Sequence, residues 1–227
     1  MDTFWLHIRA PFAAFRGFQA GVYRSTSPVM PPSAAYGLVL NLAGIEMRGS
    51  PDGVTTSIRR DLPRLRLAIG VLNQPARASL YQQLHSYPVG NSGKELAELT
   101  HGAKYWIVPV RREMLVDYDG VIGVQTSDEG LRELVGKGLR GELEKGRYGL
   151  PFAGDNNYLY DNIEIFNEPP AGTTWYAHFG PDESPRKGTC RLTIGIDRTD
   201  NSRTTTSVFA PAPVLSDSVW TWTPAEP

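Results

Sequence analysis

A chain of 227 residues is long enough to bury its own core, yet its 24 acidic and 23 basic side chains leave a net charge of -1. That balance excludes nucleic-acid binding by overall charge, so any such contact must use a local patch, and it suits a subunit of an assembly better than a solitary RNA binder. The single Cys190 excludes an internal disulfide and no Cys/His cluster has zinc spacing, so a reducing compartment and a fold without metal or cofactor are expected.

Thr3 to Ala10 alternates, with Phe4, Leu6, Ile8 and Ala10 on one face and Trp5, His7 and Arg9 on the other, which predicts a first strand. The second face is either an RNA platform that includes Arg9 or, as is commoner in a chain this long, a surface covered by another part of the protein. His7 is not a candidate catalyst. No stretch approaches ~18 uninterrupted apolar residues, and a soluble, cytoplasmic protein with no membrane partner is expected.

A loop follows in which Arg16 and Arg24 are interleaved with Phe15, Phe18 and Tyr23. It leads into a predicted helix with Pro31 and Pro32 at its start, Ser33 as N-cap, apolar spacing through Ala34, Ala35, Leu38, Val39 and Leu42, and Gly44 as its stop. The first turn of a helix presents unpaired N–H groups and the positive end of the dipole, a setting for anions. Guanidinium groups for phosphates and flat rings for bases suit single-stranded RNA.

Ile45 to Pro63 is polar and rich in turn formers, hence a loop, and Arg64 to Leu72 alternates as a second strand. Asn73 to Ala103 lacks a sustained period and predicts an insertion around short helical pieces, Ala78–Leu84 and Lys94–Leu99. Lys104 to Tyr118 predicts a strand in which Pro109 requires a bulge or an edge, followed by a turn at Asp119-Gly120 and a short return strand, Val121 to Gln125. A helix capped by Ser127 or Asp128 is expected to run to Lys145 and stop at Gly146, and Tyr158 to Phe166 is extended.

This order of strands and helices predicts an α+β fold of the ferredoxin-like or RRM-like kind over residues 1–166, with the insertion at 73–103. Residues 167–227 predict a small β-rich C-terminal subdomain: a linker at 168–172, strands at Trp175–Phe179, Thr189–Asp197 and Arg203–Ala210, and a tail docked by Trp220 and Trp222 or touching a partner. No internal repeat is visible.

Two motifs point to a family. Pro11-Phe12-Ala13-x-Phe15-Arg16, followed by Ser25-x-x-Pro28-Val29-x-Pro31-Pro32-Ser33-Ala34-Ala35-x-Gly37, resembles the N-terminus of the CRISPR-associated Cas-five proteins, RAMP-superfamily subunits of the type I Cascade complex. Arg147-Tyr148-Gly149-Leu150-Pro151-Phe152-Ala153-Gly154-Asp155-Asn156 is similar to an element of the DevS-like branch of that family, at the matching place after the second helix. Physically, its glycines and proline allow close backbone approach, while Arg147 can pair a phosphate and Tyr148 stack a base. Asp155, Asn156 and Asn157 are read instead as satisfying turn hydrogen bonds.

The resemblance implies a protein that caps the 5′ handle of the crRNA and helps nucleate assembly with the Cascade backbone and large subunits. Target DNA is met through the complex, a ribonucleoprotein of antiviral defence, and the insertion serves as a thumb. Phosphates would be held by Arg16, Arg24, Arg111, Arg112, Arg147 and the helix start at Ser33, with bases against Phe18, Tyr23, Tyr36 or Tyr148, and with Arg9 and Lys104 as further basic contacts. Arg111 and Arg112 are consecutive on a strand, so at most one faces RNA. Tyr36 is alternatively a core residue.

The rival is a metal-independent endoribonuclease of precursor crRNA, the activity of one branch of the family. It would need a base and a cation from among Tyr23, Tyr36, His85, His101 and Lys104. The DevS-like element points to the non-cutting branches, so no enzyme is expected. A hydrolase using Asp155 and Asp161 lacks a placed nucleophile, base and oxyanion donor.

Overall fold

The computed structural model describes residues 1–17, 23–49, 57–86, 106–180, 182–184, 186–198 and 200–224, with backbone alone for 83–86, 106–108 and 201. Strand β1 (Asp2–Ala13) follows the predicted alternation: Phe4, Leu6 and Ile8 are fully buried and Ala10 nearly so. Each of the larger three stabilises the fold by about 1.5–3 kcal/mol. A two-residue strand β2 (Tyr23–Arg24) precedes helix α1 (Pro32–Leu42).

The N-cap of α1 is Pro31, in extended backbone, and no side chain caps the helix. Ser33 therefore sits inside the first turn, not at the N-cap the sequence suggests, because Pro32 already supplies the fixed φ of the first helical position. At its other end Gly44, at φ +71°, adopts the left-handed conformation expected of a stop. Between α1 and the next strand the predicted loop is pinned by an isolated bridge between Arg48 and Ile58.

Strands β3 (Leu65–Val71) and β4 (Ala76–Ser86) run one after the other along the same edge of a 21-residue strand β5 (Trp106–Thr126), antiparallel to it. Two expectations are corrected here. Ala78–Leu84 is strand, not helix: exposure alternates along Ser79, Leu80, Tyr81 and Gln82, the period of a sheet edge. Asp119-Gly120 is not a turn, since β5 passes through it without interruption; the ring of Tyr118 lies where a Gly120 side chain would be, 2.7 Å from its Cβ position. Asp117, also within β5, takes a left-handed backbone at φ +57°. Lys94–Leu99 lies outside the described residues.

Helix α2 (Leu131–Arg140) starts at a Gly130 N-cap and ends at Gly141, φ +75°, where Glu142 N–H returns to Lys137 O at 2.8 Å. It is thus shorter than the predicted helix from Ser127 or Asp128 to Lys145, because a left-handed glycine closes the carbonyls early and leaves Leu143 to fold onto Gly44. Gly138 is where α1 and α2 meet: a Cβ there would lie 1.7 Å from the Leu42 carbonyl oxygen.

Strand β6 (Asn162–Phe166) pairs the outer edge of β1, giving an antiparallel order β6-β1-β5-β3 with α1 and α2 packed together over one face. Beyond β3 the same sheet continues through β7 (Thr174–His178), β9 (Thr205–Ala212) and β8 (Cys190–Gly195), while β10 (Trp220–Thr223) pairs the first half of β3. Among the described residues strand thus outweighs helix, ten strands against two α-helices.

The second face of β1 is covered, in keeping with the commoner of its two readings. Trp5 packs against Trp175 and Trp220, with ring centroids 5.3 and 5.5 Å apart, and lies over Gly123, where any side chain would collide with its ring. Trp220 of the tail is therefore docked, and Trp222 lies beside the Arg64 guanidinium. Arg9 remains exposed at the end of this face, and His7 bonds Asp119 at 2.5 Å.

His178 gives the fold a pH dependence. Its ring is half-buried against Phe209 and bonds Thr221 and Ser207 at 2.8 and 3.2 Å. Burial pushes its pKa below the ordinary value, so the unfolded chain takes up the proton more readily than the folded one. Stability from this group is complete above the unfolded-state pKa, about 6.5, and is lost as pH falls through the folded value. Urea midpoints taken from pH 7.5 down to 5 are expected to fall for the natural chain and to flatten in His178→Gln.

Candidate nucleic-acid interface

The two sequence motifs fold against each other, joining Arg16 to Asp155, 139 residues away. Ala14 N–H donates to Ala153 O at 2.9 Å, Ala153 N–H to Tyr158 O at 2.7 Å, and Phe15 N–H to the Thr26 hydroxyl at 2.9 Å. Gly154, at φ +79°, makes this contact possible, since a Cβ there would stand 2.4 Å from Ala14 O. Its backbone approach therefore serves another loop of the protein, and it delivers the next residue, Asp155, into the interior.

Asp155 is 5% exposed and its carboxylate is fully engaged. One oxygen accepts from the Asn157 backbone N–H at 3.1 Å and its side-chain amide at 2.9 Å, the turn hydrogen bonds expected of it. The other accepts from Arg112 at 2.8 Å and Arg16 at 3.2 Å. Arg112 is buried with Asp155, whereas the Arg16 side chain is about half exposed. The pairing of β2 with β5 sets Arg24 beside Arg112. Burial first, then the like charges of Arg16 and Arg112, push the Arg24 guanidinium below its ordinary pKa, with Asp155 opposing them.

Two guanidinium groups thus bond a single carboxylate with a third, Arg24, beside them, leaving an excess of positive charge. The Nε–H of Arg112 is buried and has no hydrogen-bond partner among the described residues, a donor short of an acceptor. An anion entering beside Arg16 and Arg24 would relieve the repulsion that Asp155 only partly neutralises.

The surface next to this cluster carries rings and a further cation. Tyr23 is exposed and donates to Glu113 at 2.7 Å, a bond that also raises its pKa. Glu113 in turn accepts from Thr26 N–H, tying the loop to β5. Arg111 is exposed and donates to Ser79, and it stands opposite Tyr81 in the β4–β5 ladder. Tyr81, 68% exposed, is absent from the sequence candidates because its segment reads as helix; the alternation of Ser79 to Gln82 is the signal that could have found it.

The candidates therefore divide. Arg16, Arg24 and Arg112 come together, with Tyr23 and Arg111 next to them. Arg112 is corrected from a surface phosphate ligand to a buried partner of Asp155, as expected if only one of Arg111 and Arg112 faces outward. Tyr36 is corrected from a stacking ring to a core residue: it is 5% exposed, donates to Pro63 O at 2.8 Å, and burial pushes its pKa up to about 12. Phe18, Lys104 and His101 lie outside the described residues, as does the side chain of His85.

Arg147 and Tyr148 lie elsewhere, on a groove of about 650 Å³ between α1 and residues 146–154. Asp155 is committed to arginines, so it is no free acid or base for a hydrolase. Among the described residues no group of His, Cys, Asp and Glu could hold a metal ion, and no helix is long and apolar enough to cross a membrane.

Comparison with known proteins agrees with this fold. The chain has the fold of a chain in a CRISPR RNA-guided surveillance complex, at 12% identity and a TM-score of 0.61 over 93% of this chain and 90% of that one. A second structure, of a Cas protein, aligns at 13% identity and a TM-score of 0.50 over 93% and 95%. No curated protein sequence matches. The sequence profile of the CRISPR-associated protein family Cas5 matches residues 3–137, from the start of β1 into α2, and on that match the chain belongs to the Cas5 family.

Proposed function

We propose that this protein is a subunit of a type I Cascade complex that binds and caps the 5′ handle of the crRNA and helps nucleate assembly with the backbone and large subunits. The observation that carries this reading is the pairing of both Arg16 and Arg112 with the one carboxylate of Asp155, with Arg24 set beside Arg112. RNA phosphates lie against Arg16 and Arg24, and splayed bases lie against Tyr23 and Tyr81 with Arg111 between them. Arg112 acts from behind as a buried charge. Family membership and the fold shared with a chain of a surveillance complex support the assembly role.

The order β6-β1-β5-β3 under two helices supports reading residues 1–166 as a ferredoxin-like, RRM-like RNA-binding unit, with residues 167–227 as an annex built on β3. β4 and the first half of β5 form the base of the thumb. The mechanism is holding, not cutting, in a cytoplasmic ribonucleoprotein that reaches target DNA only through the assembled complex.

Incubating the chain, alone and with its partner subunits, with labelled repeat RNA in EDTA tests this. Retention of intact, handle-containing RNA is expected. A discrete 5′-handle product would replace the reading with the endoribonuclease one, and indifference to RNA even with the partners present would remove both.

A further inference from the structure

The groove between α1 and residues 146–154 does a different job from the arginine cluster. Its floor is apolar, made by Leu38, Ile45, Met47 and Pro151, and its volume of about 650 Å³ would take several side chains. Tyr148, Leu150 and Phe152 stand on its rim, 68%, 67% and 47% exposed, large apolar groups that a surface ordinarily covers. Its charged lining residues are Glu46, Arg48 and Arg147. Arg48 is closed on Glu46, with ion-pair contact at 2.7 Å, and lies 3.1 Å over the ring of Tyr148, whereas Arg147 makes no ion pair among the described residues. Asn41 on the groove wall spends its amide N–H on Tyr148 O at 3.0 Å and leaves its buried Oδ1 without a donor among the described residues.

We infer that this groove is a docking site for a polypeptide segment of another subunit, one that inserts apolar side chains, sets a carboxylate on Arg147 and donates a backbone N–H to Asn41 Oδ1. The three features ask for three things that one short acidic and apolar peptide carries together. A nucleotide fits worse: Arg48 already caps Tyr148, the most exposed ring of the groove, and one unpaired cation is a thin match for a phosphate chain. Glu46, held at a pKa of about 2 by its hydrogen bonds from Arg48, keeps that cap ionised and closed throughout the neutral range.

The inference rests on the protein working within an assembly, and its test reads RNA separately. The reconstituted complex is made with Leu150→p-benzoylphenylalanine, irradiated, digested and mapped by mass spectrometry, with its RNA content measured in parallel. One adduct is expected, to a single segment of another subunit that carries apolar residues beside an Asp or Glu. Arg147→Glu should cut its yield about tenfold and Arg147→Lys should keep most of it. Adducts to RNA, to this chain or a second copy of it, no adduct, or a yield indifferent to Arg147→Glu would each overturn the inference. Loss of RNA with the adduct intact would count against the handle-binding reading instead.

Discussion

Asp155→Ala is expected to destabilise the fold by about 3–5 kcal/mol, read as a lower urea midpoint with an unchanged slope. Arg112 and Asp155 are 4% and 5% exposed, so removing the carboxylate strands a buried cation whose Nε–H already lacks a partner among the described residues. The same change deletes two turn hydrogen bonds from Asn157 and the tether on Arg16. Asp155→Asn keeps an acceptor for Asn157 but not the charge, and should fall between the two. Replacing the pair together by apolar groups, Arg112→Met with Asp155→Leu, should cost less than Asp155→Ala alone, because it leaves no unpaired charge. A loss below about 1 kcal/mol in Asp155→Ala would mean that the pair is well solvated and that the two motif loops are held by their backbone contacts alone.

Arg16→Ala and Arg24→Ala act on RNA instead of on the fold. Each is expected to weaken handle binding by about 1–3 kcal/mol, roughly 5- to 150-fold, the size of one charge-assisted hydrogen bond. Because both face the same carboxylate and the same anion, their effects should not simply add. The salt dependence offers a second signature: removing one phosphate-binding cation should make the slope of log K against log salt shallower by about 0.7. Urea midpoints should move little, since Arg112 still neutralises Asp155 and the Arg16 side chain is half exposed. Unchanged binding in both variants would remove this loop from the interface.

Some of this organisation is legible in the sequence because it is local. The period-two alternation of Phe4, Leu6, Ile8 and Ala10 depends only on one face being buried, and the α1 start depends only on consecutive prolines. The misread elements are those in which a distant partner decides. Ala78–Leu84 is strand because β5 supplies the ladder, and Asp119-Gly120 stays extended because β1 pairs both residues and β3 pairs Gly120 from the other side. Helix α2 reads too long in the sequence because its leucines continue past Gly141, yet Leu143 packs after the helix has ended.

The site divides in the same way. The motifs around Arg16 and Asp155 are visible as motifs, and the turn role of Asp155 follows from side-chain habit. That its other oxygen takes Arg112, 43 residues away, and Arg16, 139 residues away, is a property of the folded sheet. The same burial that makes Arg112 useful as a fixed charge removes it as a direct ligand, and nothing in a run of two arginines tells which one turns inward.

The most direct measurement is a cryo-EM map of the assembled complex with its crRNA bound. Phosphates of the 5′ handle within hydrogen-bonding distance of the Arg16 and Arg24 side chains, with Arg112 behind them on Asp155, are the expected result. A map in which those guanidinium groups are covered by protein and the 5′ end of the RNA lies on another surface would contradict it.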